Sequence, residues 1–213
     1  ADLAVVAAYG KILTRKELNA PKYGSINIHP SLLPKYRGPS PIQSAILNGD
    51  KVSGIAIIKI DEEMDHGPIL YQDSLELSDM DTFDTLSKKM FLRSAEILPQ
   101  VIIDFIAGKI NPKEQNHSAA TFCKLLTKEG GYFDINNPPS PEQLDRLIRA
   151  YHPWPGVWTK WSPSSHPEGR NINPKDLKIV KFLPEGLLQM EGKKAIPLRD
   201  FLNGYPDFPI KTL

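Results

Sequence analysis

Asn27 and His29 stand two residues apart in the run Ser25-Ile26-Asn27-Ile28-His29. On a strand, positions i and i+2 share a face, so the amide and the imidazole project together while Ile26 and Ile28 point the other way. An amide donor beside an imidazole suits two tasks: stabilising charge on a carbonyl oxygen, and moving a proton. On spacing alone a second reading stays open, a strand end whose histidine is satisfied by backbone. The loop that follows, residues 30–41, carries Pro30, Pro34, Pro39 and Pro41. Each proline fixes its own φ, so this loop holds a shape at low entropic cost. A second candidate is Asp65, in the acidic stretch Asp61-Glu62-Glu63-Met64-Asp65-His66-Gly67-Pro68. If the strand before it runs parallel to 25–29, Asp65 arrives at the same carboxyl end, where it would orient His29 or pass protons through water. Asp61, Glu62 and Glu63 read as solvated surface.

Other chemistries find little footing. No GxGxxG and no GKS or GKT is present, which leaves a dinucleotide or nucleoside-triphosphate site without a motif. His29, Asp65 and His66 form only a weak zinc set, and no metal is expected. Cys123 is the one cysteine. It cannot make an internal disulfide, has no activating neighbour in sequence and reads as a packed thiol, in keeping with a reducing, cytoplasmic setting.

The elements that must position these residues follow from pattern. Residues 2–8, 25–29, 52–60 and 69–77 read as strands, the last alternating well enough to be partly exposed. Residues 14–19 and 39–50 read as short helices, the second with Ser40 as N-cap and Pro41 at the first helical position. Residues 81–108 form the longest helical pattern, capped by Asp81 or Thr82 and ended by Gly108, with Pro99 expected to kink or split it. This order predicts an α/β fold with a mostly parallel sheet and helices. Beyond residue 118 the character changes. A linker is expected over 119–150, including a helix at 140–150 capped by Ser140. A small β-rich C-terminal domain is expected over 151–213, with two or three strands and a closing helix at 197–204. Trp154, Trp158 and Trp161 fall in eleven residues and read as a small core rather than as a surface for stacking on bases.

The bulk numbers agree with a soluble protein. The 213 residues carry 26 basic and 25 acidic side chains, a net charge of +1, and are 40% hydrophobic. No apolar run nears the roughly 20 residues of a membrane-spanning helix. The N-terminal run reads as a strand and not a signal peptide. Residues 1–159 hold 17 basic and 19 acidic groups, and residues 160–213 hold 9 and 6, so the C-terminal end is mildly basic. That tilt is compatible with a nucleic-acid backbone as partner.

At these residues the sequence resembles the 10-formyltetrahydrofolate-dependent formyltransferases. Asn27-Ile-His29-Pro-Ser31-Leu32-Leu33-Pro34-Lys35-Tyr-Arg37-Gly38 is similar to the family's Asn-x-His motif and its loop. Residues 64–70 resemble the segment that carries the family's aspartate, and 5–13 its folate-loop strand. The resemblance implies a Rossmann-like formyltransferase fold and a formyl donor of 10-formyltetrahydrofolate. It implies Asn27, His29 and Asp65 as catalytic groups. It implies a donor pocket at Tyr9, Gly10, Ile12, Leu13, Glu63, Met64 and Asp65. The segment 128–159 and the tail 190–205 resemble the branch of the family that formylates methionyl-tRNA. The implied partner is then an aminoacylated initiator tRNA, met by a monomeric cytoplasmic enzyme through Ser31, Leu32, Leu33, Pro34, Lys35 and Arg37, and through Lys193 and Lys194. Lys175, Lys178, Lys181 and Arg199 add to the basic end. The sugar-nucleotide formyltransferases share the segment 128–159, so an amino sugar stays open as acceptor, as does a non-enzymatic folate- or RNA-binding role. Relative to the family pattern the first strands are missing and the C-terminal domain is short, with 2–8 expected as an exposed edge.

Overall fold

The computed structural model describes residues 1–11, 13–163 and 176–213. Ile12 and Lys175, both singled out above, lie outside the described residues. The chain divides into two compact units, Ala1–Leu125 and Leu126–Leu213. The division falls inside the segment expected as linker. Residues 119–125 belong to the first unit, and 126–150 belong to the second.

In the first unit the strands are β1 (Ala4–Ala7), β2 (Ser25–His29), β3 (Val52–Lys59) and β4 (Ile69–Glu76). The helices are α1 (Arg15–Leu18), α2 (Pro41–Leu47) and α3 (Phe83–Ile106). The strands form one sheet in the order β1-β2-β3-β4. Val5 on the outer strand β1 is 43% exposed. The α/β class stands, but the sheet is mixed and not mostly parallel. β1 and β2 run parallel, while β2–β3 and β3–β4 are antiparallel. The segment 8–24 carries the chain back along the sheet between β1 and β2, whereas the segment 30–51, with the seven-residue α2, ends past the His29 end of β2. β3 therefore starts where β2 ends and returns beside it. The loop 60–68 then turns straight into β4.

The two faces of β2 go to different neighbours. Ile26 and Ile28 are buried with Ile57, Leu70 and Val101, and Phe91, Leu98, Ile102 and Phe105 of α3 pack on them. Burying each such isoleucine stabilises by about 1.5–3 kcal/mol. On the opposite face Leu33, Ala56 and Ile58 form a second cluster. Helix α3 covers the first face because Leu86, Met90, Ser94 and Val101 recur at helical spacing. It begins at Thr82, which exchanges hydrogen bonds with Thr85 in a capping box, and it runs through Pro99 without a break. Asp81 supports the same cap. Burial resists its ionisation, but hydrogen bonds from Lys89, the Ser78 N–H and Thr85 outweigh that and hold its carboxyl below the usual carboxylate range.

The second unit holds α4 (Pro141–Tyr151), the strands β5 (Val157–Trp161), β6 (Lys178–Leu183), β7 (Leu187–Met190) and β8 (Ile196–Pro197), and α5 (Leu198–Gly204). Among the described residues four strands, against the two or three expected, form an antiparallel sheet in chain order. Its core is aromatic. Trp161 packs edge-on against Phe208 at 5.1 Å and lies near Phe201, and Phe133 tilts against Phe182. Only one of the three tryptophans is therefore a core residue: Trp158 is half-buried, and Trp154 is 55% exposed. Among the described residues no helix is long and apolar enough to cross a membrane.

Candidate active site

The register of β2 decides what surrounds its polar pair. Asn27 lies opposite Ile58 and His29 opposite Ala56, so both stand on the face with Leu33, away from α3. His29 is 4% exposed. Its Nε2 lies 2.9 Å from the carbonyl oxygen of Tyr36. A carbonyl only accepts, so Nε2 carries the proton of the neutral ring and Nδ1 is left as the basic nitrogen. Nδ1 faces Oδ2 of Asp65 at 3.6 Å. Burial pushes the His29 imidazole below its ordinary range, against the Asp65 charge and the Tyr36 hydrogen bond, which both pull it up. Near neutral pH the ring is uncharged and ready to take a proton.

Asp65 reaches the site by an unexpected route. With β3 antiparallel to β2, the loop after β3 starts at the far end of the sheet. The loop folds back over the sheet face instead. Gly67 passes so close to the end of β3 that a Cβ there would sit 1.8 Å from the Lys59 oxygen. Asp65 itself adopts φ +50°, in the left-handed region. Its Oδ1 accepts a long hydrogen bond of 3.4 Å from Asn27 Nδ2, and its Oδ2 accepts one of 2.7 Å from the Gly38 N–H. One carboxylate thus touches the strand and the proline-framed loop together.

That loop is held from outside. The Tyr36 N–H donates to Thr121 Oγ1, the Arg37 N–H to the Thr121 carbonyl, and the Cys123 N–H to the Arg37 carbonyl. Ser40 precedes α2 as expected but makes no cap. Its N–H binds Cys123 Sγ and its hydroxyl donates to the Lys124 carbonyl. Cys123 is accordingly a packed thiol against residues 37–40.

The remaining expected residues divide. Ser31 and Leu33 are interior, and Leu32 packs against Gly54. The Pro34 carbonyl accepts from the Thr121 N–H. Lys35 is exposed and pairs with Asp50 at 2.7 Å, near the Tyr36 ring. Arg37, expected to meet the acceptor, is 4% exposed. Its guanidinium donates to Gln115 Oε1 and lies 2.9 Å from His117 Nδ1. A side chain so occupied supports the loop and is not available to a phosphate. Tyr9 and Gly10 are exposed after β1, and Leu13 is half-buried. The parallel register places this loop at the end of the sheet where His29 lies. Met64 is exposed and approaches Gly38, and the N–H of Glu63 is tied to Asp61. Asp61 also binds His66 at 2.7 Å, so it is more than a solvated charge. In the second unit Lys193 donates to the Tyr205 hydroxyl, and Lys194 is exposed. Sequence reasoning passed over Gln115 and His117, which sit in a polar stretch without periodicity. Among the described residues no group of His, Cys, Asp and Glu is arranged to hold a metal.

Comparison with known proteins gives a consistent picture. Residues 1–102 match the family model described as formyl transferase. The chain is 46% identical over 223 residues to the methionyl-tRNA formyltransferase of Roseiflexus castenholzii, covering 95% of this chain and 70% of that protein. It is also 46% identical over 160 residues to the protein of the same description from Roseiflexus sp., covering 75% of this chain and 49% of the relative. The chain therefore spans between half and about seven-tenths of these relatives. In structure it resembles HypX from Aquifex aeolicus, solved with tetrahydrofolic acid, with a TM-score of 0.67 at 14% identity over 97% of this chain and 39% of that one, a likeness of fold alone.

Proposed function

The chain belongs to the methionyl-tRNA formyltransferase family, and from that premise we propose that it moves a formyl group from 10-formyltetrahydrofolate to the amino group of methionyl-tRNA. The observation that carries the reading is the Asp65 carboxylate, which faces Asn27 and His29 on one sheet face. The acceptor amine attacks the formyl carbon, and the proton it sheds goes to Nδ1 of His29, where Asp65 stabilises the new charge. One N–H of the Asn27 amide is taken by Asp65. The other, with the charged imidazole, steadies the oxyanion of the tetrahedral intermediate. Collapse breaks the bond to the donor nitrogen, which receives the proton.

The donor is assigned to Tyr9, Gly10, Leu13, Glu63, Met64 and Asp65, with Ile12 outside the described residues, and its folate nature rests on the family and on the resemblance of residues 5–13. The acceptor is assigned to Lys35 and the Leu32–Pro34 backbone, with Lys193 and Lys194 as phosphate partners. The enzyme acts as a cytoplasmic monomer. The family's relatives in sequence favour tRNA over a nucleotide-linked amino sugar. The test is formyl transfer from 10-formyltetrahydrofolate to methionyl-tRNA and, separately, to such a sugar. Formylmethionyl-tRNA is the expected product. Formylated sugar alone would overturn the acceptor, and binding of donor without transfer to either would overturn the enzymatic reading.

A further inference from the structure

Gln115 lies in the polar stretch after α3 and is 5% exposed. Its Nε2 donates to the carbonyl of Asp65 at 2.9 Å and to that of Gly67 at 2.7 Å. Its Oε1 accepts from Arg37 Nε at 3.2 Å and Nη2 at 2.7 Å. The amide thereby uses both donors and both lone pairs. Turned over, it would set N–H groups against a guanidinium and an oxygen against two carbonyls, so a single orientation is allowed. The two carbonyls flank His66 and include that of Asp65, whose left-handed backbone is unfavourable for a residue with a side chain unless its surroundings hold it. That conformation is what turns the carboxylate back over the sheet.

We propose that Gln115 is a positioning residue for formyl transfer. It holds the Asp65 carboxylate against Asn27 and His29 by fixing the backbone of the aspartate loop, while Arg37 of the catalytic loop fixes Gln115. One buried amide thus ties together the two loops that meet at the reacting centre. The inference rests on the reading of this site as a formyltransferase centre. Asp65 is the charged group that faces His29. Around Gln115 stand Arg37, then His117 against Arg37, then His66 stacked on His117 at 3.9 Å and bound to Asp61.

Gln115→Met tests this with little change of size. It removes the amide that binds Arg37 and the two carbonyls and adds no charge near His29, which releases the loop. A displacement of Asp65 by about 1 Å is expected to lower kcat about 100-fold, with KM for the donor little changed. It is also expected to move the NMR titration of the His29 imidazole to lower pH, because the Asp65 charge that favours its protonation is farther away. Unchanged kcat and titration in the folded variant would overturn the proposal. So would a fall in kcat with the His29 titration unmoved, which marks a merely structural role. Should Gln115→Met fail to fold, Arg37→Lys removes one of the two bonds that orient the amide, and the same two readouts decide. If the wild-type chain transfers no formyl group, the functional reading fails, while the His29 titration still decides whether Gln115 positions Asp65.

Discussion

His29 shows how burial and a single acceptor define a residue's chemistry. The Tyr36 carbonyl fixes the tautomer, and burial keeps the ring neutral, so its basic nitrogen points to Asp65. Replacing it by His29→Asn is expected to lower kcat by about 100- to 10,000-fold, the usual range for an acid-base group, with donor affinity retained; equilibrium binding of the donor and single-turnover rates check this. The same residue makes a stability prediction. Its folded pKa lies below the unfolded one, so as pH falls through the ordinary imidazole range the unfolded chain takes up a proton that the fold refuses. Stability is then lost with acidification, and the loss levels off once pH is below the folded value. Urea midpoints followed from pH 8 to 5 are expected to fall less steeply in His29→Asn than in the wild type. An equal slope in both would contradict the assignment.

Elements bring the residues together through close approaches more than through long segments. The loop 60–68 crosses the end of β3 at Gly67, where no Cβ fits beside the Lys59 oxygen. Gly67→Ala is expected to push the loop outward. It should destabilise the fold by about 1–3 kcal/mol, as overpacking does, and lower kcat because Asp65 moves with the loop. Denaturant unfolding and steady-state kinetics on one preparation test both effects. Stability lost with kcat intact would show that Asp65 keeps its place without this contact. The proline-framed loop depends in the same way on residues 115–124, which pair along Tyr36–Ser40. Prolines limit the shapes open to that loop, but the hydrogen bonds to Thr121, Cys123 and Lys124 select one.

At the scale of the whole molecule the proposed catalytic groups and the C-terminal lysines fall in different units. The first holds Asn27, His29 and Asp65; the second is an antiparallel sheet on an aromatic core, with Lys178, Lys181, Lys193 and Lys194 at its surface. Double replacement of Lys193 and Lys194 by alanine is expected to raise KM for methionyl-tRNA while single-turnover kcat at saturation is kept. The slope of log affinity against log salt should fall by about 1 for each phosphate contact removed. An unchanged salt slope would remove these lysines from the acceptor surface.

Much of this was determined by sequence alone. The i, i+2 spacing in 25–29 sufficed to put Asn27 and His29 on one face, because strand periodicity is local. Every strand of the first unit and the cap at Ser140 were legible for the same reason, and the start of α3 was narrowed to Asp81 or Thr82. Strand direction was not, since an apolar run reads alike both ways and the path of the segment joining two strands is set by tertiary packing. The role of Arg37 was not legible either. A basic residue in a loop looks like a phosphate partner until Gln115, 78 residues away in the chain, is seen to occupy its guanidinium. Asp65 joins both cases. Its residue type and neighbours marked it as chemical, but its meeting with His29 depends on a left-handed backbone and a buried amide that only the tertiary structure brings together.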